Sequence, residues 1–404
     1  MLGFHAVPAG SRRVFYLDLM TGILGALMYG GVYPFIGVIA RKELQASPLL
    51  ISVMSSASFV GFLTGPFLVG HFEKGRKLPW ILATMLLARS SMLLLAFTYT
   101  ARSYVAVATL GMIIPSLSTP AYLALMKDIY PDDWRGRLTA LVRIGATISG
   151  MASVILVGLL LTRWRFQVVL PIVTLLSMTA ILFFMRIKES KVIPPASPGP
   201  SFAGSFSLFR KDPRFKQFCI AYFICGFGNL MSGPVITLFQ VDDLKITPEW
   251  IGWISSIGTL TAALTYYYWG KVVDSKGPIY CTLLAMVGWG LAVGGYSLVH
   301  NLYGLIPIAL ISGVSGSAGD VGILNALVQF GRKEEVARYA SLHYALLGIR
   351  GIIAPLLGGL LAEALPFDRT VNYRIIFRLS AGLVMLGCFL MWRAMKRKTR
   401  QNDL

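Results

Sequence analysis

The sequence predicts an all-α integral membrane protein, with twelve transmembrane helices arranged as two parallel six-helix repeats. Three observations carry this reading. Of the 404 residues, 55% are hydrophobic and only 14% charged, whereas a soluble domain uses about 25% charged residues to cover its surface. Apolar stretches recur from end to end, each long enough to cross roughly 30 Å of hydrocarbon at about 1.5 Å per residue. The third is that the two halves of the chain repeat each other in register.

Hydropathy and turn signals place the first six spans at 14–39, 48–70, 78–99, 103–126, 138–161 and 166–186. The second six fall at 215–240, 248–272, 278–299, 303–328, 339–363 and 373–393. Backbone groups in lipid must bond within their own segment, so runs this long and unalternating are helices and not barrel strands. The run beginning near Val14 is too long for the apolar core of a cleavable signal peptide. Between the sixth and seventh spans, Lys188 to Pro213 reads KESKVIPPASPGPSFAGSFSLFRKDP. Its prolines prevent helix, and its Ser and Gly content makes a flexible connector. The expected organisation is a six-helix half at 1–187, a cytoplasmic linker at 188–213 and a second six-helix half at 214–404.

The net charge of +19 raises the question of nucleic acid, and the distribution answers it. Of 37 Lys and Arg, 25 collect in the loops of one side together with both termini and the linker; eight lie on the other side. Four (Arg89, Arg143, Arg350 and Arg378) lie inside spans. This is the positive-inside pattern of a cell-membrane protein with cytoplasmic termini, and no nucleic-acid partner is expected. The four cysteines, Cys219, Cys225, Cys281 and Cys388, all fall in apolar segments without disulfide or metal spacing. No metal or cofactor is expected. The absence of a nucleotide-binding loop leaves ATP out as a direct energy source.

The repeat has an offset close to 200. Pro34 matches Pro234, Ser47-Pro48 matches Thr247-Pro248, Ile51 matches Ile251, and Gly70 matches Gly270. Further along the offset is 201: Arg137 matches Arg338, Gly150 matches Gly351, and Gly158 matches Gly359. Equivalent positions six spans apart share one orientation in the membrane, the arrangement of parallel-repeat transporters.

The loop after the eighth span, Gly270-Lys-Val-Val-Asp274-Ser-Lys-Gly277, resembles the G-x-x-x-D-x-x-G loop of the major facilitator superfamily. The first-half copy, with Gly70, Glu73 and Gly75, is one residue short and carries Glu where the pattern has Asp. Arg137 and Arg338 lie in loops that resemble the family's Arg-bearing loops before spans five and eleven. The resemblance covers essentially the whole chain. It implies the twelve-helix fold, a cavity lined by spans 1, 4, 7 and 10, and a loop that latches one conformation through Gly270, Asp274 and Gly277. It also implies alternating access by two rocking halves. Gly351-Ile-Ile-Ala-Pro355-Leu-Leu-Gly358-Gly359 is similar to the glycine-proline motif of drug/proton antiporters. In those proteins the motif belongs to span five and here it is in span eleven, so close helix packing through small residues is the preferred reading.

Polar groups inside spans are expensive and mark substrate or ion paths. Asp320 is the deep carboxylate, in span ten; Arg350 is mid-way along span eleven and His343 near its start. Asn229, Gln240, Asn325 and Gln329 add hydrogen-bonding groups in spans seven and ten. Two readings of Asp320 are open: a structural pair with Arg350, which is preferred, or a proton-coupling site. Arg143, in span five, has no mid-membrane acid in its own half and so favours a substrate with a negative end. Arg89 is expected to pack or snorkel, Arg378 to snorkel, and Asp18 to sit at a membrane boundary.

The expectation is a secondary transporter, not an enzyme: a proton-coupled exporter of drugs or metabolites, acting as a monomer in the bilayer. The alternative is an organic-anion or lipid transporter without proton coupling. A remote rival is a rhomboid-like intramembrane serine protease. It rests on Gly313-Val-Ser315-Gly316 with His343 or His300 as base, and the glycines read equally as a packing stripe.

Overall fold

The structure is a computed structural model that describes residues 9–63, 77–188, 207–330 and 336–402. Among these, all regular structure is helical, and nine helices are long and apolar enough to cross a membrane. Every predicted span has a helical counterpart. Span one is Ala9–Gly31 continued by Tyr33–Lys42. Span two begins as Pro48–Ala57, with Ser47 capping its first turn. Span three is Lys77–Leu93 with a 3-10 turn at Leu94–Phe97. Span four is Ala101–Ser116 and Thr119–Ile129, broken just past Pro115, whose ring clashes with the preceding turn and removes a backbone donor. Spans five and six are Asp132–Arg163 and Phe166–Phe184.

Spans seven to twelve are Pro213–Asp242, Pro248–Lys276, Pro278–Tyr296, Leu305–Phe330, Val336–Ala364 and Arg369–Asn402. Asp212 caps span seven by accepting from the Arg214 and Phe215 amides at 3.0 Å each. Most of the linker, at 189–206, and the segment carrying Gly70 and Glu73 lie outside the described residues.

The chain forms two compact units that do not follow the sequence halves to the residue. The first takes Met1–Ile39, Phe67–Gly199 and Thr247–Trp253. The second takes Ala40–Pro66, Pro200–Ile246 and Ile254–Leu404. Span two therefore belongs with the second unit, and the start of span eight with the first. Within the first unit, span one packs on five and six, and span three on four and six. Within the second, span seven packs on eleven and twelve, and span nine on ten and twelve. These are the same partnerships six spans later.

Finer details repeat as well. Gln45 and Lys245, 200 residues apart, are the only non-glycine residues in the left-handed region among those described, at φ 54° and 50°. That conformation costs on the order of 1 kcal/mol for an L side chain. Each turns the chain so that the next amide, Ala46 or Ile246, donates to the Ala40 or Gln240 carbonyl at 2.9 Å. Glycines set the helix spacing in the same symmetric way. A Cβ on Gly158 would lie 2.7 Å from the Pro248 carbonyl oxygen, and one on Gly359 would lie 2.8 Å from that of Pro48. Gly30 meets the Gly150 backbone, and Gly358 meets that of Met231, more closely still. The span-eleven glycines thus pack against spans two and seven, as small residues do where membrane helices touch.

The first unit's core holds Phe15, Leu19, Leu125, Leu138 and Phe184; the second's holds Phe215, Phe218, Tyr222, Leu342 and Met391. The four cysteines are buried and unbridged. Leu87, Ile172, Leu264 and Phe389 are exposed, an apolar exterior that lipid, and not water, would cover.

Two glycines of similar sequence context should therefore respond oppositely. Gly359→Ala must push against Ser52 and Pro48, and should cost about 1–3 kcal/mol. Gly316 has open space around it, so Gly316→Ala should be neutral or up to about 1 kcal/mol stabilising. Thermal unfolding of the two variants in one detergent checks this; equal shifts would remove the packing argument.

Candidate functional site

The best-compensated charges are at the ends of spans one and seven. Arg41 sits in the last turn of Tyr33–Lys42, where the helix dipole favours a cation, and Asp242 ends Pro213–Asp242. The Arg41 Nε donates to Asp242 Oδ1 at 2.8 Å and its Nη2 to Oδ2 at 2.7 Å. Nη1 donates to the Ala46 carbonyl at 2.8 Å, and the Tyr373 hydroxyl donates to Asp242 Oδ2 at 2.6 Å. Arg41 is 8% exposed. This is a two-pronged, charge-assisted bridge that fixes orientation as well as charge. Sequence reasoning counted Arg41 with the loop charges and did not single out Asp242. The signal that could have found the pair is the repeat: 201 residues separate them, close to the offset that relates the halves.

Asp18, in the first half of Ala9–Gly31, is the second feature. The expected boundary residue is 1% exposed. It accepts from the Tyr130 hydroxyl at 2.8 Å and from that of Tyr122 at 3.1 Å. Asp18 has no ion pair among the described residues. Arg143 is near enough to act electrostatically on Tyr122, but it is exposed and has no carboxylate partner among the described residues. Arg89 does not snorkel. It is buried, with Nε donating to the Ser177 carbonyl and hydroxyl at 3.1 Å and Nη1 to the Met85 carbonyl at 3.2 Å.

The preferred pair of Asp320 with Arg350 does not form. Asp320 is exposed and accepts from the Tyr266 hydroxyl at 2.5 Å. Arg350 turns inward, 4% exposed, and bonds the Tyr222 carbonyl. Its guanidinium carbon lies 4.4 Å from the Tyr222 ring centre, and its Nε has no hydrogen-bond partner. The reason is Gly226: without a side chain there, span seven leaves a slot that the guanidinium fills. Gly25, 201 residues earlier, also lies beside the Arg89 guanidinium, but a Cβ there would stand 3.4 Å away, without overlap. Carbonyl oxygens thus solvate both cations; Arg350, for which a carboxylate was expected, also has the Tyr222 face.

Buried His343 packs 5.1 Å from the Tyr222 ring. Asn325 is exposed and donates to the Val321 carbonyl at 2.8 Å. Asn229 and Gln240 are half-buried along span seven. In the loop motif, Gly270 and Asp274 lie in the last turns of span eight, and Gly277 supplies the left-handed corner at φ 87°. Asp274 is exposed with no hydrogen bond or ion pair among the described residues. Arg137 is exposed over the Trp134 ring at 5.4 Å, and half-buried Arg338 lies in the first turn of span eleven. Glu73 lies outside the described residues. The protease reading loses its dyad: the Ser315 hydroxyl donates to the Ile311 carbonyl at 2.6 Å, and His300 is engaged by Arg374.

Removing Arg41 strands Asp242 in a poorly hydrated place, so Arg41→Ala should cost roughly 3–5 kcal/mol. The double variant with Asp242→Asn should recover part of that loss. Unfolding of the two single variants and the double in lipid nanodiscs checks this; simple additivity would contradict a coupled pair.

The chain matches the family described as Major Facilitator Superfamily over residues 19–218 and again over 218–404. It is 27% identical over 183 residues to the multidrug resistance protein MdtG of Yersinia enterocolitica, a match spanning 42% of each chain. It is 24% identical over 264 residues to the chromaffin granule amine transporter of Rattus norvegicus, spanning 63% of this chain and 48% of that one. These matches take in less than half the length of either relative. Among solved structures, nucleoside transporter NupG aligns with a TM-score of 0.74 at 17% identity, covering 95% of this chain and 99% of NupG. A bacterial homolog of the human lysosomal transporter Spinster, inward-facing and occupied, aligns at 0.73 and 11% identity, over 97% and 98% of the two chains. Helices, repeat symmetry and both family matches agree: the chain is a multi-pass membrane protein of the major facilitator superfamily.

Proposed function

We propose that the protein is a proton-coupled exporter of small organic molecules, of the drug and amine classes named for its relatives. The observation that carries the reading is Asp18, a carboxylate enclosed by two tyrosine hydroxyls with no cation bridged to it. Burial penalises the ionised form, while hydroxyls can donate to the carboxylate or accept from the acid. Small changes in hydration on rocking would then move a proton on or off. Asp320 in span ten also accepts from a tyrosine hydroxyl, that of Tyr266, but is exposed. With no Arg350 bridge to stabilise, its coupling role is now preferred to a structural one.

In this reading the halves at 1–187 and 214–404 rock about a midplane site, and the 188–213 linker and both termini are cytoplasmic, as the Lys/Arg distribution supports. The Arg41–Asp242 bridge must open once per cycle. Asp274 engages the loop helices in a conformation other than this one, with Gly270 and Gly277 allowing the close approach. A second reading, an organic-anion carrier without proton coupling, draws on exposed and unbridged Arg143.

One assay separates the two readings. In proteoliposomes with an imposed pH gradient, uptake of a fluorescent lipophilic amine should depend on the gradient. In Asp18→Asn that dependence should fall at least tenfold with little change in melting temperature. A parental protein indifferent to the gradient would favour the anion carrier; an unaltered Asp18→Asn would remove Asp18 from coupling.

A further inference from the structure

Beside the Arg41–Asp242 bridge, the second unit contains a crevice of about 370 Å³, lined by Asp243, Leu244, Val299, His300, Thr370 and Arg374 among others. It opens where span seven ends, where the loop joins spans nine and ten, and along the first turns of span twelve. Its size falls in the range of small-molecule sites.

The crevice contains both signs of charge, and no ion pair joins them among the described residues. Arg374 Nη2 lies 2.9 Å from His300 Nδ1. A guanidinium only donates, so Nδ1 is the acceptor in this contact. His300 therefore orients Arg374 without cancelling its charge. Arg374 Nε is buried and has no hydrogen-bond partner. Across the crevice, Asp243 Oδ2 is likewise buried without a partner. Burial is the main influence on that carboxyl and raises its pKa, while Thr370, Arg374 and Lys245 act the other way. Asp243 and Arg374 are close enough to feel each other, yet they form no bridge among the described residues. An anionic and a cationic side chain thus line one crevice with no bridge between them among the described residues.

We propose that this crevice binds a small zwitterion, a primary ammonium joined to a phosphate or carboxylate. The ammonium donates to the Asp243 carboxylate and the oxyanion accepts from the Arg374 guanidinium. Donation to the carboxylate needs N–H bonds, which a quaternary ammonium lacks. Two sources share this chemistry: a soluble zwitterion, or the headgroup of phosphatidylethanolamine reaching the helix ends from the bilayer. Because Asp242 also lines the crevice, an occupant sits next to the bridge that ties spans one and seven.

Binding is tested without transport, so it stands apart from the exporter reading. The full chain in phosphatidylcholine nanodiscs is titrated calorimetrically with O-phosphoethanolamine, and with O-phosphocholine as control. In parallel, its melting temperature is compared in discs containing phosphatidylethanolamine. Saturable binding of phosphoethanolamine but not phosphocholine would support a soluble source. Stabilisation by phosphatidylethanolamine alone would support the lipid source. In either case Asp243→Asn and Arg374→Gln should weaken the effect at least tenfold. Leu244→Trp, which fills the crevice and keeps both charges, should do the same and decides the matter if a charge variant fails to fold. No preference for the primary ammonium, or an effect that survives Asp243→Asn and Leu244→Trp, would overturn the proposal.

Discussion

Charge placed in a bundle of membrane helices must be compensated from within, because the hydrocarbon around it offers no water. The structure meets this constraint in three ways. Arg41 and Asp242 compensate each other through a two-pronged bridge. Arg89 and Arg350 are solvated by carbonyl oxygens and, for Arg350, by the face of Tyr222. Asp18 has only hydroxyls. In the proposed mechanism these differences separate structural charges from titrating ones. A bridged pair resists protonation, a guanidinium among carbonyls stays charged, and a carboxylate among hydroxyls can exist in either form.

The second constraint is close approach. Membrane helices gain little from hydrophobic association, so they associate through backbone contact at small residues. Gly30 against Gly150, Gly158 against Pro248 and Gly359 against Pro48 are such contacts. The last two are copies of one another under the internal repeat. That symmetry explains how span two comes to belong with the second unit and the start of span eight with the first. It also accounts for the matched left-handed residues Gln45 and Lys245, whose strain is retained at both positions because both turns need it.

Much of the fold was legible because span length, apolar runs and Pro/Gly punctuation are local properties. The twelve spans and the repeat register needed nothing else. The site was legible only in part. Asp320 and Arg350 sit at depths compatible with pairing, but which way a side chain leaves its helix depends on the neighbour's surface. Gly226 opened a slot that sequence spacing alone did not reveal. Asp18 lies near the start of its helix, where a boundary role is the usual expectation; its enclosure by tyrosines more than one hundred residues away was not visible in the sequence. Arg41 was counted as a loop charge, and Asp242 was not singled out. The repeat offset was the one sequence signal that related them, and it was read as evidence of topology and not of contact.

The central claim is that Asp18 exists in both protonation states within the working range of the protein. Infrared difference spectroscopy between alkaline and acidic buffer reads this directly in reconstituted protein. The account predicts a carboxylic-acid C=O band that appears on acidification, shifts on transfer to heavy water, and is missing in Asp18→Asn. A parental spectrum in which Asp18→Asn removes no such band would show the carboxyl locked in one state, and would contradict the account.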